Sequence, residues 1–235
     1  MTDSIKVAGR RKSGEQLPLV FNHHSASSRD DLLVSDRLAA AVAIVDAWPH
    51  WPAPVVILTG PQGSGKSHLA EIWRQQSGAK DIVPTPGSDA SIVAGLGPVL
   101  FEDADRVGFD EVELFHVINS VKQNGQSLLM TSRTWPLSWN VQLPDLRSRL
   151  KAATLVEIGE PDEILLSQVI VKLFADRQLA IDERIVDYIV QRMERSLATA
   201  QEVVEQLDQL ALARRARISK VLASEVLDAL ANARG

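Results

Sequence analysis

The sequence predicts an α/β fold, a mostly parallel sheet flanked by helices, followed by an all-helical unit at the C-terminal end. Three observations predict it. Short β-branched or apolar runs alternate with amphipathic stretches up to about residue 158, the pattern of strands joined by crossover helices. The first of those runs, Val55-Val56-Ile57-Leu58-Thr59, leads through the glycine-rich segment Gly60-Pro61-Gln62-Gly63-Ser64-Gly65-Lys66-Ser67 into a helical pattern. From Pro161 onward the strand-like runs stop and apolar residues recur every three to four positions.

Residues 1–28 read as a polar, flexible tail, with Gly9, Gly14, Ser25, Ser27 and Ser28, interrupted by one apolar island at Leu17-Pro18-Leu19-Val20-Phe21. Ser35 reads as an N-cap for a helix from Asp36 to about Trp48, on which Leu38, Val42 and Val45 share a stripe. Pro49, Pro52 and Pro54 break the chain before the first strand, Val55 to Thr59. Ser67 to Gln76 is the helix after the glycine turn. Residues 77–98 hold several Gly, Pro and Ser and read as loops with one short strand at Ile82-Val83. Val99-Leu100-Phe101 is a buried strand ending in Glu102-Asp103, and Glu111 to Gln123 is a helix carrying Leu114, Phe115, Ile118 and Val121. Ser127 to Thr131 and Leu155 to Ile158 are further strands. In the C-terminal unit, Ile164, Leu165, Val169, Ile170, Leu173 and Phe174 mark one helix. Asp182 caps another, with Ile185, Ile189 and Met193; Val203, Val204, Leu207, Leu210 and Leu212 mark a third, and Val221 to Leu230 form the last. The expected organisation is a tail over 1–28, an α/β domain over 29–159 and a helical domain over 160–235.

The bulk numbers narrow the function. The 235 residues suffice for one α/β domain and a smaller appendage. A net charge of -5, with a basic cluster at Arg10, Arg11 and Lys12 near the start, argues against a dedicated, sequence-specific binder of duplex DNA. The absence of cysteine excludes disulfides and thiolate metal sites. The start of the chain has no apolar signal region and no run spans a bilayer, so the expected setting is cytoplasmic, without a membrane.

The glycine-rich segment matches GxxxxGK(S/T) in full, with a strand before it and a helix after it. Its glycines let backbone N–H groups turn inward on a polyphosphate. Lys66 is expected to reach the β- and γ-phosphates, and the Ser67 hydroxyl to sit on Mg²⁺. The nucleotide-binding candidates are therefore Gly60, Pro61, Gln62, Gly63, Ser64, Gly65, Lys66 and Ser67, with His68 beside them at the helix start. The strand end Glu102-Asp103 supplies the acids such a loop needs. Glu102 is the candidate Mg²⁺ ligand and Asp103 the candidate group that polarises the attacking water. The usual order is Asp then Glu, so the longer side chain falls at the metal position, which argues against fast hydrolysis. Solvated acids at a strand end are the other reading of the pair, and Asp105 reads as a surface charge. Trp48 and Trp51 flank prolines and fit either an adenine shelf or a junction between elements.

Several segments resemble one family. They are Phe115-His116-Val117-Ile118-Asn119; Leu128-Leu129-Met130-Thr131-Ser132-Arg133 with Trp135-Pro136; and Leu146-Arg147-Ser148-Arg149-Leu150. Together they resemble the AAA+ core of the bacterial replication initiator DnaA, over about residues 30–235. The likeness is greater to the DnaA-like regulators of the Hda family, especially the alphaproteobacterial HdaA form. Gln16-Leu17-Pro18-Leu19-Val20-Phe21 looks like the hexapeptide with which bacterial proteins dock on the DNA polymerase III β sliding clamp. In that mode the Gln16 amide is read at a pocket rim, while Leu17, Leu19 and Phe21 supply apolar surface. A strand or staple packed on this protein's own core is the alternative for that island. No DNA-binding helix-turn-helix is expected after the helical unit, the stretch from Ser77 to Pro98 is shorter than in DnaA, and Asp176-Arg177-Gln178-Leu179 with Arg195-Ser196-Leu197 look like the HdaA pattern.

The resemblance implies an AAA+ P-loop NTPase with a C-terminal helical lid, binding ADP or ATP with Mg²⁺. It implies that Arg149 is an arginine finger aimed at a neighbour's γ-phosphate and that Arg195 is the lid arginine of the chain's own nucleotide site. Structural ion pairing is the alternative for Arg149, and a surface charge for Arg195. Thr131 and Ser132 lie where the family has its first sensor. The implied partners are DnaA, the β sliding clamp and, as an open alternative, further copies of this chain. The implied activity is stimulation of DnaA-bound ATP hydrolysis, with weak turnover of the chain's own nucleotide. An autonomous AAA+ ATPase such as a helicase loader is the competing reading, and a small-molecule kinase a third.

Overall fold

The computed structural model describes residues 36–234; the tail, with the hexapeptide Gln16–Phe21, lies outside them. Helix α1 (Asp36–Asp46) leads to strand β1 (Val55–Thr59) and helix α2 (Lys66–Ser77). Then follow β2 (Lys80–Asp81), α3 (Ala90–Leu96), β3 (Val99–Phe101), α4 (Ala104–Val107), α5 (Glu111–Gln123) and β4 (Leu128–Ser132). A 3-10 turn at Pro136–Ser138, helix α6 (Pro144–Lys151) and strand β5 (Thr154–Glu157) complete the α/β part. Four helices close the chain: α7 (Glu163–Asp176), α8 (Glu183–Val190), α9 (Leu197–Arg214) and α10 (Lys220–Arg234).

The sheet is parallel throughout, in the order β2-β3-β4-β1-β5. Alternation along each strand sorts side chains onto two faces. Val55, Ile57, Val99, Phe101, Leu128 and Met130 point into a core closed by α3, α5 and α6. Val56, Leu58, Leu100 and Leu129 point the other way, onto α1 and α2. Both faces are covered, so β1 is buried at all five positions. The helical part has its own core of Leu166, Ile170, Phe174, Val186, Ile189, Val203, Val204 and Leu207. Caps fix its boundaries: Asp162, Asp182 and Ser196 each accept a backbone N–H of the helix they start.

Several expectations change. The strand placed at Ile82-Val83 lies at Lys80–Asp81, paired to β3. The stretch 77–98 is not all loop, because α3 forms within it. Its flanking glycines and prolines read as breakers, but α3 buries the small Ala90 and Ala94 against α5, so packing rather than propensity makes it a helix. The short α4 and the helix α6, whose first position is Pro144, also form. Helix α1 stops at Asp46, two residues before the cis Trp48–Pro49 bond. Met193 lies beyond the end of α8 yet still packs in the helical core. Trp48 and Trp51 are no adenine shelf. Trp51 stacks on Trp73 of α2, with ring centroids 5.2 Å apart, and Trp48 meets the same ring edge-on at 6.4 Å.

Candidate functional site

The glycine loop leaves the sheet at Gly60, whose N–H donates to the Ser132 carbonyl at 3.2 Å and so ties the loop's start to the end of β4. The loop curls through Gly63 (φ 70) and enters α2 with Lys66 as its first residue. A cavity of about 360 Å³ opens on it, so the loop is neither collapsed nor walled off. Gln62, Gly63, Gly65, Lys66, Ser67 and His68 line one side. Asp103 and Arg133 stand at the strand ends. Leu38, Leu165, Val169, Leu173 and Leu197 form an apolar slot between α1, α7 and α9. A phosphate-binding end joined to an apolar slot is the shape a nucleotide needs.

Lys66 is buried, and its Nζ donates to the Gly60 and Pro61 carbonyls, each at 2.7 Å. Burial holds its pKa below the ordinary lysine value; the Arg133 charge adds to that, and the acids, Asp103 foremost, oppose it. Glu102 is exposed as a residue and is not part of the cavity lining, but partial loss of water around its carboxyl raises its pKa. A hydrogen bond with the Ser67 side chain pulls the other way, and the Asp103 charge adds to the rise. The two candidate Mg²⁺ groups are thus in contact. One hydroxyl and one carboxylate suit a cation that keeps most of its shell as water and phosphate oxygen. Among the described residues no cluster of three or more His or acidic side chains forms a metal cage. Asp103 adopts a left-handed backbone (φ 49), and its N–H donates to Thr131 Oγ1 at 2.9 Å. Asp103 lines the cavity, and among the acids its charge acts most strongly on Lys66.

Two residues gain roles that sequence reasoning missed. The Asp105 side chain is not an idle surface charge. Its carboxylate accepts from the backbone N–H groups of Arg133 and Thr134 and from Thr134 Oγ1, at 2.9–3.1 Å. The turn after β4 is thereby clasped to α4. Arg133, so held, reaches the cavity and donates through Nη1 to Gln62 Oε1 at 2.7 Å. The sequence signal was available: an acid two positions after Asp103, and a cation directly after β4.

The remaining candidates lie elsewhere. Arg195 is exposed and pairs with Glu163 at 2.6 Å, outside the cavity lining. Its neighbours Ser196 and Leu197 instead touch the glycine loop. Arg149 sits half-buried on α6, makes no ion pair or hydrogen bond through its side chain among the described residues, and does not line this cavity. Arg147 on the same helix is tied to the Val141 carbonyl. Thr131 and Ser132 are buried, with both hydroxyls engaged, to Asp103 N–H and to the Thr134 carbonyl.

Domain III of the replication initiation protein DnaA from Thermotoga maritima superposes with a TM-score of 0.71 at 15% identity, covering 86% of this chain and 95% of that one. The fold is that of an AAA+ P-loop NTPase. The RuvB Holliday junction branch migration motor from the same organism gives a TM-score of 0.67 at 17% identity, over 87% of this chain and 72% of RuvB. AMPPCP-bound DnaA from Aquifex aeolicus gives 0.62 at 18% identity, over 78% of this chain and 64% of that one. No family model and no curated protein matches the chain. No helix among the described residues is long and apolar enough to cross a membrane.

Proposed function

We propose that this AAA+ chain is an adenine-nucleotide-binding regulator of chromosome replication initiation. Docked on the DNA sliding clamp through Gln16, Leu17, Leu19 and Phe21, it offers Arg149 to ATP held on DnaA and promotes its hydrolysis. The observation that carries the reading is the state of Arg149. It is a guanidinium with no partner among the described residues, on a helix that does not face the chain's own cavity. A cation kept free in this way suits a phosphate on another molecule. The chain's own site holds ADP or ATP in the loop Gly60–Ser67, with Ser67 and Glu102 placed for Mg²⁺. When bound, Mg²⁺ neutralises phosphate charge; Lys66 and Arg133 supply the protein's own positive groups beside it.

The deciding experiment measures hydrolysis of DnaA-bound ATP with clamp-loaded DNA. The wild type stimulates it; Arg149→Ala loses on the order of 10³-fold of the stimulation, and Gln16→Ala loses it through weaker clamp docking. Full stimulation by both variants overturns the proposal. A second reading, an autonomous ATPase such as a helicase loader, is favoured by Asp103, whose side chain lines the cavity beside Lys66. Steady turnover by this chain alone, stimulated by single-stranded DNA and lost in Asp103→Asn, decides for it.

A further inference from the structure

The lid and the glycine loop touch directly. The backbone N–H of Leu197, first residue of α9, donates to the Gly63 carbonyl at 2.8 Å. Ser196 is buried and caps the same helix by accepting the Thr199 N–H at 3.2 Å. It lies so close to the loop that a Cβ on Gly63 would stand 1.8 Å from Ser196 Oγ. The Leu197 side chain packs against both the helical core and the core shared by α1 and α2, and it lines the cavity. This seam is separate from Arg195, which points away to Glu163.

A phosphate cradle works only while its N–H groups face the anion and its carbonyls do not. Glycines make that arrangement accessible but do not enforce it. The peptide unit joining Gly63 to Ser64 is planar, so fixing its carbonyl fixes its N–H as well. Here both ends of that peptide unit are bonded within the protein, its carbonyl to the lid and the Ser64 N–H to Pro61 O at 3.3 Å, so the unit sets the bend of the loop and leaves the anion to the other N–H groups. The loop is thus pinned from a different part of the chain.

We propose that the Leu197 backbone N–H is a positioning group for the nucleotide site: by holding the Gly63 carbonyl it keeps the loop shaped for a polyphosphate, so that seating the lid and readying the loop are one equilibrium. This rests on the nucleotide-binding reading above. Linkage then requires that bound nucleotide tighten the lid seam by the factor with which the seam tightens nucleotide binding.

Two substitutions isolate the hydrogen bond. Leu197→Ala and Leu197→Pro both remove the leucine side chain, but only proline removes the N–H. The first helical position tolerates proline, and Ser196 before it is already extended (φ -144, ψ 133), as a residue preceding proline must be. Binding of ADP with Mg²⁺ is titrated calorimetrically. One lost hydrogen bond corresponds to about a 3- to 10-fold difference, so Leu197→Pro binds that much more weakly than Leu197→Ala. Amide exchange over residues 60–67 of the nucleotide-free protein is faster in Leu197→Pro alone. In the wild type, ADP slows exchange at the Leu197 amide. Equal affinities and equal loop exchange in the two variants overturn the proposal, as does a Leu197 amide indifferent to ADP. A wild type that binds no adenine nucleotide overturns the underlying reading as well, and that outcome is distinct from the others.

Discussion

Replacing Gly60 by alanine tests the packing that holds the loop. A Cβ at Gly60 would lie 2.2 Å from the Ile158 carbonyl oxygen and 3.2 Å from its carbon. A carbon and an oxygen normally rest at roughly 3.3 Å or more, so about 1 Å must open. Ile158 cannot retreat freely, since its N–H donates to Thr59 O at 2.7 Å and its side chain is fully buried. The obstacle is backbone at the end of an edge strand, not the tip of a flexible side chain. The cost therefore falls at the upper end of the overpacking range, about 3 kcal/mol. At about 2–4 °C per kcal/mol for a chain of this length, Gly60→Ala melts about 6–12 °C below the wild type. Scanning calorimetry reads the shift. Gly97→Ala is the matched control: Gly97 is extended (φ -176) with open space around it, and this variant melts with the wild type. A Gly60→Ala protein that melts within about 2 °C of the wild type refutes the reasoning, because the sheet would then yield where it is described as fixed.

Two further outcomes follow from the site. Asp105→Ala leaves the Arg133 and Thr134 N–H groups without their acceptor and costs about 2 kcal/mol, whereas Asp105→Asn keeps most of it; chemical denaturation separates the two, and equal stabilities contradict the clasp. Glu102 carries a raised pKa because its charged form is partly desolvated, so ionisation costs stability in the folded protein. That cost is absent below the ordinary carboxylate range and complete above the raised value. Glu102→Gln therefore raises the melting temperature at neutral pH, and the gain vanishes below about pH 4; a gain confined to acid pH contradicts the assigned cause.

The α/β core was legible because its signals are local and strong. Val55–Thr59 and Val99–Phe101 are continuous apolar runs, as strands covered on both faces must be, and both lie where the sequence places them. Glu111–Gln123 was legible to the residue from the apolar spacing of Leu114, Ile118 and Val121 on its inner face, and in the structure the Asp110 side chain caps its start. The phosphate loop was legible because the motif states its own chemistry. The rest depends on contacts between distant residues. Helix α3 exists because Ala90 and Ala94 fit against α5, and two alanines carry almost no hydrophobic signal. Asp105 looks like any surface acid until the chain returns 28 residues later to place Arg133 upon it. The apolar slot draws Leu38, Leu165, Val169 and Leu197 from three helices, and each reads alone as ordinary core. Trp48 and Trp51 were open between two readings because proline flanks say nothing about which ring they will meet.

That indole cluster gives the molecule a built-in optical reporter. Trp73 rides on the same helix that begins with Lys66, with Trp51 lying flat against it and Trp48 edge-on. Any rotation of α2 that accompanies filling of the cavity changes the overlap of those rings, and with it their emission and near-ultraviolet circular dichroism. Trp135 and Trp139, the only other tryptophans in the chain, sit at the turn after β4 and supply a second, separable signal. Occupancy can therefore be followed without attaching a dye.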